Sequence, residues 1–289
     1  MRVLNFGSLN IDYVYRVAGI VRPGETISSK SFDTFAGGKG ANQSIALAKA
    51  GADVSHAGKV GAEGRWLADR LSDSGVDVSN IKVTDDKTGH AIIQVDDSGE
   101  NAIFLFPGAN MRIEQEHINS AVGSMDDGDI VLLQNEINYI SYIIETAHAA
   151  GMTVCLNPAP FDDSVPDYPL DKVGILVLNE TEGRGLTGKN ENERILDELK
   201  KRYPDCVIVL TLGAAGVLCS SGSETIAVPG EKVKAVDTTA AGDTFIGYFL
   251  ALHSEGRLLR DCLETACKAA AICVTRRGAT DSIPERAEV

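Results

Sequence analysis

The residues best suited to chemistry lie in Asp237-Thr238-Thr239-Ala240-Ala241-Gly242-Asp243. Residues 233–236 before this stretch alternate like the end of a strand. After it, Phe245, Ile246, Phe249, Leu250 and Leu252 recur at helical spacing. A strand entering a helix through Ala-Ala-Gly leaves several backbone N–H groups bare and aimed one way. The positive end of the helix dipole reinforces that anion site. Asp243 falls in the first helical turn, where an acidic residue can serve stability alone. It can equally serve as a general base, taking a hydroxyl proton while negative charge grows on a neighbouring phosphoryl group. Taken by itself, the stretch leaves these two readings even.

Asn10 and Asp12 are two residues apart, so on extended chain they point the same way and could grip sugar hydroxyls. An Asx turn is the plainer reading. Ala36-Gly37-Gly38-Lys39-Gly40-Ala41-Asn42-Gln43 opens a helix through Ile45, Leu47 and Ala48 that Gly51 closes. Its glycines either hinge the chain or let a ligand approach the backbone. It is no Walker loop, because Gly40 follows Lys39, and no dinucleotide fingerprint, because the last glycine position falls on Gln43. Asn179 and Glu182, three apart at a helix start, suit a capping box or the outer shell of a magnesium ion. The six cysteines form no C-x-x-C pair and most sit in apolar runs, which points to free thiols in a reducing compartment. The five histidines are scattered and form no ligand-spaced cluster, so no protein-built metal site is expected from them.

The elements that must position these residues read as an α/β chain. Residues 2–7, 54–60, 130–133, 153–156, 175–178 and 207–210 read as strands, and residues 63–74, 139–149 and 193–201 as helices. In the second of these groups Trp66 and Leu67 are assigned to the core face. Such alternation argues for a mostly parallel sheet covered on both faces, with the polar clusters gathered on one edge. Residues 90–95 and 101–106 flank a turn and read as an inserted hairpin. With residues 12–35 it would make a small separate sheet, a lid over a site or an oligomer contact. Residues 269–282 read as a tight, small-residue helix leading into a loop. The chain has 289 residues and a net charge of −14, which disfavours a nucleic-acid partner. No stretch reaches transmembrane length, and the first residues run straight into a strand pattern rather than a secretion signal. A cytoplasmic location is therefore expected.

Several motifs coincide in one order. Gly-Gly-Lys-Gly-Ala-Asn (37–42), Asn-Glu-Thr-Glu (179–182), Thr-Leu-Gly (211–213) and Asp-Thr-Thr-Ala-Ala-Gly-Asp (237–243) resemble those of the ribokinase-like (PfkB-type) sugar kinases. The segments at 7–12, 156–160 and 277–279 resemble its ribose-phosphorylating branch. The resemblance spans the chain. It implies a single domain, 1–289, with a three-layer αβα fold and a β lid formed by about 12–35 and 88–107. It implies ATP-dependent phosphorylation of the primary hydroxyl of D-ribose, with another pentose, fructose or a nucleoside as alternatives inside the family. A phosphorylated sugar fits less well, because the matched positions offer Lys39 but no arginine fork.

The resemblance also assigns roles by position. Asp243 becomes the base, and Ala240, Ala241, Gly242 and Asp243 offer the anion hole. Asn10, Asp12, Gly38, Lys39, Asn42 and Glu136 would hold the sugar. Asn179, Glu182, Thr211, Gly213, Gly216 and Gly242 match ATP and Mg²⁺ positions. Cys267 falls at an adenine-edge position where the family often carries a polar residue. Asp237, Thr239, Cys273, Arg276, Gly278 and Ser282 would surround an activating potassium ion, several through backbone carbonyls. A homodimer through the small sheet is expected. Two readings from other classes remain beside this one. A nucleotide-dinucleotide oxidoreductase lacks support from G-x-G-x-x-G after the first strand. A catalytically silent sugar- or nucleotide-binding protein would have no need of the Gly242-Asp243 pair.

Overall fold

The computed structural model describes residues 1–289. Short apolar runs form strands, and segments with 3.6-residue periodicity form the helices between them. In order, the first half contains β1 (Val3–Phe6), β2 (Asn10–Arg16), β3 (Ser31–Gly37), α1 (Lys39–Lys49), β4 (Val54–Gly61), α2 (Arg65–Asp73), β5 (Asp77–Thr84), β6 (Gly89–Val95) and β7 (Asn101–Phe106). Next come α3 (Gln115–Val122), β8 (Ile130–Gln134), α4 (Ile140–Ala149), β9 (Thr153–Asn157), β10 (Ile175–Asn179) and α5 (Glu180–Thr187). The chain closes with α6 (Asn192–Arg202), β11 (Val207–Thr211), β12 (Gly216–Ser221), β13 (Glu224–Pro229), α7 (Ala241–Ser254) and α8 (Leu259–Val274).

Nine strands form one sheet in the order β13-β12-β11-β10-β9-β8-β1-β4-β5. It is parallel from β5 to β11, while β12 and β13 run antiparallel at one edge. Its central strands are apolar on both sides because helices cover both faces. Val3, Ile130 and Leu132 face one core, shared with α1, α2, α7 and α8. Leu4, Phe6, Val131 and Leu133 face the other, shared with α3, α4, α5 and α6. This two-residue alternation also turns Asn5, Gln134 and Asn157 toward the face carrying α1 and α7.

The second sheet has four strands in the order β3-β2-β6-β7. The inserted hairpin is β6-β7, and β2 pairs antiparallel with β3 and parallel with β6. Two sequence expectations are corrected. Residues 233–236 form no strand: Val233 and Val236 are exposed, and the N–H groups of Val236 and Asp237 both converge on the Val274 carbonyl instead of a ladder. Trp66 is not a core residue; Leu67 takes the inward position of α2 and leaves Trp66 at the surface.

Candidate active site

A cleft of about 1250 Å³ lies between the carboxyl edge of the large sheet and the inner face of the small one. It opens where the order reverses between β1 and β8, the usual ligand crevice of an open α/β sheet. Asp243 is buried at its floor, in the first turn of α7. Its Oδ1 accepts from Gln43 Nε2 at 2.8 Å and its Oδ2 from Asn42 Nδ2 at 2.9 Å. Close packing of α1 on α7 makes this possible: a methyl added at Gly247 would lie 2.3 Å from the Ala46 Cβ. One turn back from that contact, Asn42 and Gln43 meet Asp243. Ala240 precedes the helix in the left-handed region, with φ of 59°, a strained conformation for alanine. It turns the chain so that the first-turn N–H groups of Gly242 and Asp243, which have no helical carbonyl to pair with, stand beside the carboxylate.

Opposite lie Asn10, Asp12, Gly38, Lys39 and Glu136. The first turn of α1 sits tightly on the turn after β1, since a methyl at Gly40 would lie 2.4 Å from the Ser8 nitrogen. Glu136 accepts the Lys39 backbone N–H at 3.0 Å and the Ser8 hydroxyl, which fixes its carboxylate against the start of α1. Asn10 Oδ1 accepts from Asn110 at 2.8 Å. Burial and the nearby Glu136 carboxylate push the Asp12 carboxyl up to about 7. Burial also raises Glu136, against the pull of Lys39. The carboxylate of Asp243, with Glu136 and Glu182 behind it, raises the Lys39 ammonium despite its burial.

On the third side, Asn179 and Glu182 form a full capping box. Asn179 Oδ1 accepts from the Thr181 and Glu182 backbones at 2.8 and 3.0 Å, and Glu182 Oε2 accepts from the Asn179 N–H at 2.9 Å. The capping reading is therefore realised, yet both residues also line the cleft, and burial raises Glu182. Asp237 ties two loops together, accepting from the Thr239 N–H at 3.0 Å and the Gly278 N–H at 3.1 Å. The Cys273 thiol lies 3.1 Å from the Ser282 hydroxyl and donates to the Thr239 carbonyl at 3.7 Å.

The sequence description of the pfkB family carbohydrate kinases matches residues 2–286. This chain belongs to that family. A ribokinase from Haemophilus influenzae is 35% identical over 291 residues, covering 98% of this chain and 95% of the relative. One from Schizosaccharomyces pombe is 36% identical over 308 residues, covering 100% and 96%. The structure of Arabidopsis thaliana ribokinase complexed with ribose and ATP superposes with a TM-score of 0.88 at 32% identity, covering 99% of this chain and 96% of that one. The protein is thus a phosphotransferase of the ribokinase-like α/β fold, acting on a sugar hydroxyl.

In this carbohydrate kinase the cleft gathers Asn10, Asp12, Gly38, Lys39, Asn42, Glu136, Asn179, Glu182, Thr211, Asp237, Thr239, Gly278 and the stretch 240–243. Gly213, Gly216, Cys267, Cys273, Arg276 and Ser282 do not line it. Gly213 and Gly216 are at positive φ, 54° and 105°, in the tight turn from β11 into β12. Cys267 is buried in α8 against the core, and burial pushes its thiol up to about 11. The Arg276 guanidinium pairs with Glu288 at 2.6 Å, so only its backbone could serve an ion near Asp237. Sequence reasoning overlooked Gln43, Ser8 and Asn157. Gln43 served there only to reject the dinucleotide fingerprint; its place beside Asn42 at a buried helix start was the available signal.

Proposed function

We propose that this kinase transfers the γ-phosphoryl group of ATP to the primary hydroxyl of D-ribose, giving ribose 5-phosphate and ADP. One observation carries the reading: a buried Asp243 carboxylate, held by two amide donors, lies beside unpaired backbone N–H groups in a cleft shared with Asn10, Asp12 and Glu136. The carboxylates and amides of Asn10, Asp12 and Glu136 suit a neutral polyol, accepting its hydroxyl protons. Asp243 takes the proton of the primary hydroxyl. The freed oxygen bonds to the γ-phosphorus while the bond to the bridging oxygen breaks toward ADP. The N–H groups of Gly242 and Asp243 and the Lys39 ammonium face the charge that spreads over the phosphoryl oxygens; the Ala241 N–H is bonded to the Thr238 carbonyl instead. Transfer of this kind depends on positioning and neutralisation more than on covalent chemistry.

Two ions belong to the proposal. Glu182 is buried with both oxygens engaged by Asn179, so it would hold magnesium through water rather than directly. Bound there, the ion would neutralise the polyphosphate. Asp237, whose carboxylate joins the loops at 237–239 and 273–282, would take part in holding a potassium ion together with backbone carbonyls of those loops. The small sheet is proposed as the lid, and its outer face as a homodimer surface. Tyr13, Tyr15, Phe32, His90 and Phe106 form a continuous aromatic cluster, and Phe32 and Phe104 are 51% and 67% exposed. An exposed apolar sheet face of this kind seeks a partner. No helix is long and apolar enough to cross a membrane, and we place the enzyme in the cytoplasm. Coupled ADP release over pentoses, hexoses and nucleosides, with magnesium and with potassium or sodium, tests the reading. D-ribose should give the highest kcat/KM, and ADP release without sugar dependence would refute it.

A further inference from the structure

Below the cleft, on the α1–α7 face of the large sheet, lie Asn5, Gln43, Ser44, His56 and Gln134. All five are fully enclosed and none lines the cleft. A core position filled by an amide is unfavourable unless its bonds are made. Here they are made in one direction. The Gly40 carbonyl can only accept, so the Asn5 amide nitrogen must face it, at 2.9 Å. That leaves Asn5 Oδ1 to accept from Gln134 Nε2 at 2.9 Å. The same Gln134 nitrogen donates to Gln43 Oε1 at 2.7 Å. Gln43 is thereby turned with its nitrogen toward Asp243 Oδ1 at 2.8 Å.

A second anchor gives the same orientation. The Val177 carbonyl accepts from Asn157 Nδ2 at 3.0 Å, so Asn157 Oδ1 accepts from Gln43 Nε2 at 3.2 Å. At the far end, His56 stays neutral, with burial holding it down at about 4. Its Nε2 donates to the Gly7 carbonyl at 3.2 Å, so its Nδ1 accepts from the Ser44 hydroxyl at 2.8 Å, and that hydroxyl accepts from Asn5 at 2.8 Å. Flipping either glutamine would set oxygen against oxygen or nitrogen against nitrogen. The arrangement also leaves Gln134 Oε1 with no partner. A network selected for stability alone would not orphan a buried carbonyl oxygen.

We propose that Gln43 is a positioning residue for Asp243, its amide locked by Gln134 on one side and Asn157 on the other. Backbone carbonyls at Gly40 and Val177 thus set the direction in which the carboxylate plane is held. The inference rests on the reading of Asp243 as the base.

The test compares Gln43→Met and Gln134→Met with Asp243→Asn, measuring kcat, KM for D-ribose and ATP, ribose Kd by calorimetry, and Tm. Misplacing a reacting group by about 1 Å costs on the order of 100-fold. Gln43→Met should therefore lose roughly 10- to 100-fold in kcat, with both KM values and the ribose Kd within about threefold of wild type. Gln134→Met, which touches neither Asp243 nor the cleft, should show the same split with a smaller loss. It carries the test alone if Gln43→Met does not fold. A structural role only would instead loosen the start of α1, so that KM rises with Lys39 and Asn42 displaced, in step with a falling Tm. That pattern, or an unchanged kcat, overturns the proposal. Wild-type turnover in Asp243→Asn overturns the base reading itself. An inactive Asp243→Asn beside a fully active Gln43→Met overturns only the role of Gln43.

Discussion

Replacing Asp243 by asparagine separates chemistry from folding more cleanly here than in most buried sites. The carboxylate accepts one amide hydrogen on each oxygen. An asparagine keeps the shape but turns one oxygen into a donor, which must then face a donor. The Gln43 side cannot adapt, because Gln134 and Asn157 fix that amide. The Asn42 side can. Its Oδ1 has no partner, so turning the amide over presents an acceptor to the new nitrogen and exchanges one orphan atom for another. The variant should therefore lose no more than about 1 kcal/mol of stability, the net value of a single hydrogen bond. Loss of a general base typically costs about 100- to 10,000-fold, or roughly 2.7–5.4 kcal/mol of transition-state stabilisation. Coupled ADP release with D-ribose should thus fall by that factor while Tm moves only a few degrees and ribose still binds. Turnover within a few fold of wild type would refute the assignment of the base, and a collapse in Tm would refute the account of Asn42.

Three further perturbations follow from contacts elsewhere. Gly247→Ala places a methyl 2.3 Å from the Ala46 Cβ and 2.8 Å from its carbonyl carbon. Helices α1 and α7 must then separate at a point one turn beyond the base, which should destabilise by about 1–3 kcal/mol in chemical denaturation and lower kcat as well. Asp12 has its carboxyl raised from 3.8 to about 7 in the folded, sugar-free protein, so the native state holds a proton that the unfolded chain releases. Its contribution to stability accordingly falls as pH rises through that window, and Asp12→Asn should gain Tm relative to wild type between about pH 4 and 7. Phe104→Glu puts a charge on the exposed outer face of the small sheet, on its edge strand β7. If that face is the proposed dimer surface, light scattering should report a dimer for the wild type and a monomer for the variant, and an unchanged mass would remove that surface from consideration.

The parallel core was legible because β1, β8, β9, β10 and β11 are short apolar runs closed by polar residues, a pattern that burial on both faces enforces. The inserted hairpin was legible from its turn. β5 was not: it lies at the sheet edge, half of it exposed, and carries no apolar run. The antiparallel pair β12-β13 was missed after a turn rich in glycine and alanine whose geometry depends on positive φ at Gly213 and Gly216. The alternation at residues 233–236 misled because period two describes a strand only where a neighbour supplies a ladder. Trp66 misled because adjacent helical positions cannot both face inward, and Leu67 is the one that does. The cleft residues were found by motif. The amides beneath them were not, although Asn5 and Gln134 stand at inward positions of apolar strands, where a polar side chain already signals a bond to something specific.

The charge balance of the cleft bears on how the reaction ends. Asp12, Asp33, Glu136, Glu182, Asp237, Asp243 and Asp281 line it against Arg16, Lys39 and Arg277. A neutral sugar enters this field at no electrostatic cost and finds acceptors for its hydroxyls. The nucleotide does not, which is why its charge needs the unpaired N–H groups of α7, the Lys39 ammonium and the proposed magnesium. After transfer, the phosphate becomes a dianion attached to the sugar, next to the Asp243 carboxyl in an acidic cleft, with no arginine fork on the sugar side to hold it. The same acidity that suits the polyol therefore opposes its phosphate ester. The product should bind the ion-free enzyme far more weakly than D-ribose does, with the gap narrowing as salt screens the repulsion. Product inhibition measured from low to high ionic strength reads this directly. Binding of ribose 5-phosphate as tight as that of ribose at low salt would show that the acidic residues do not expel it.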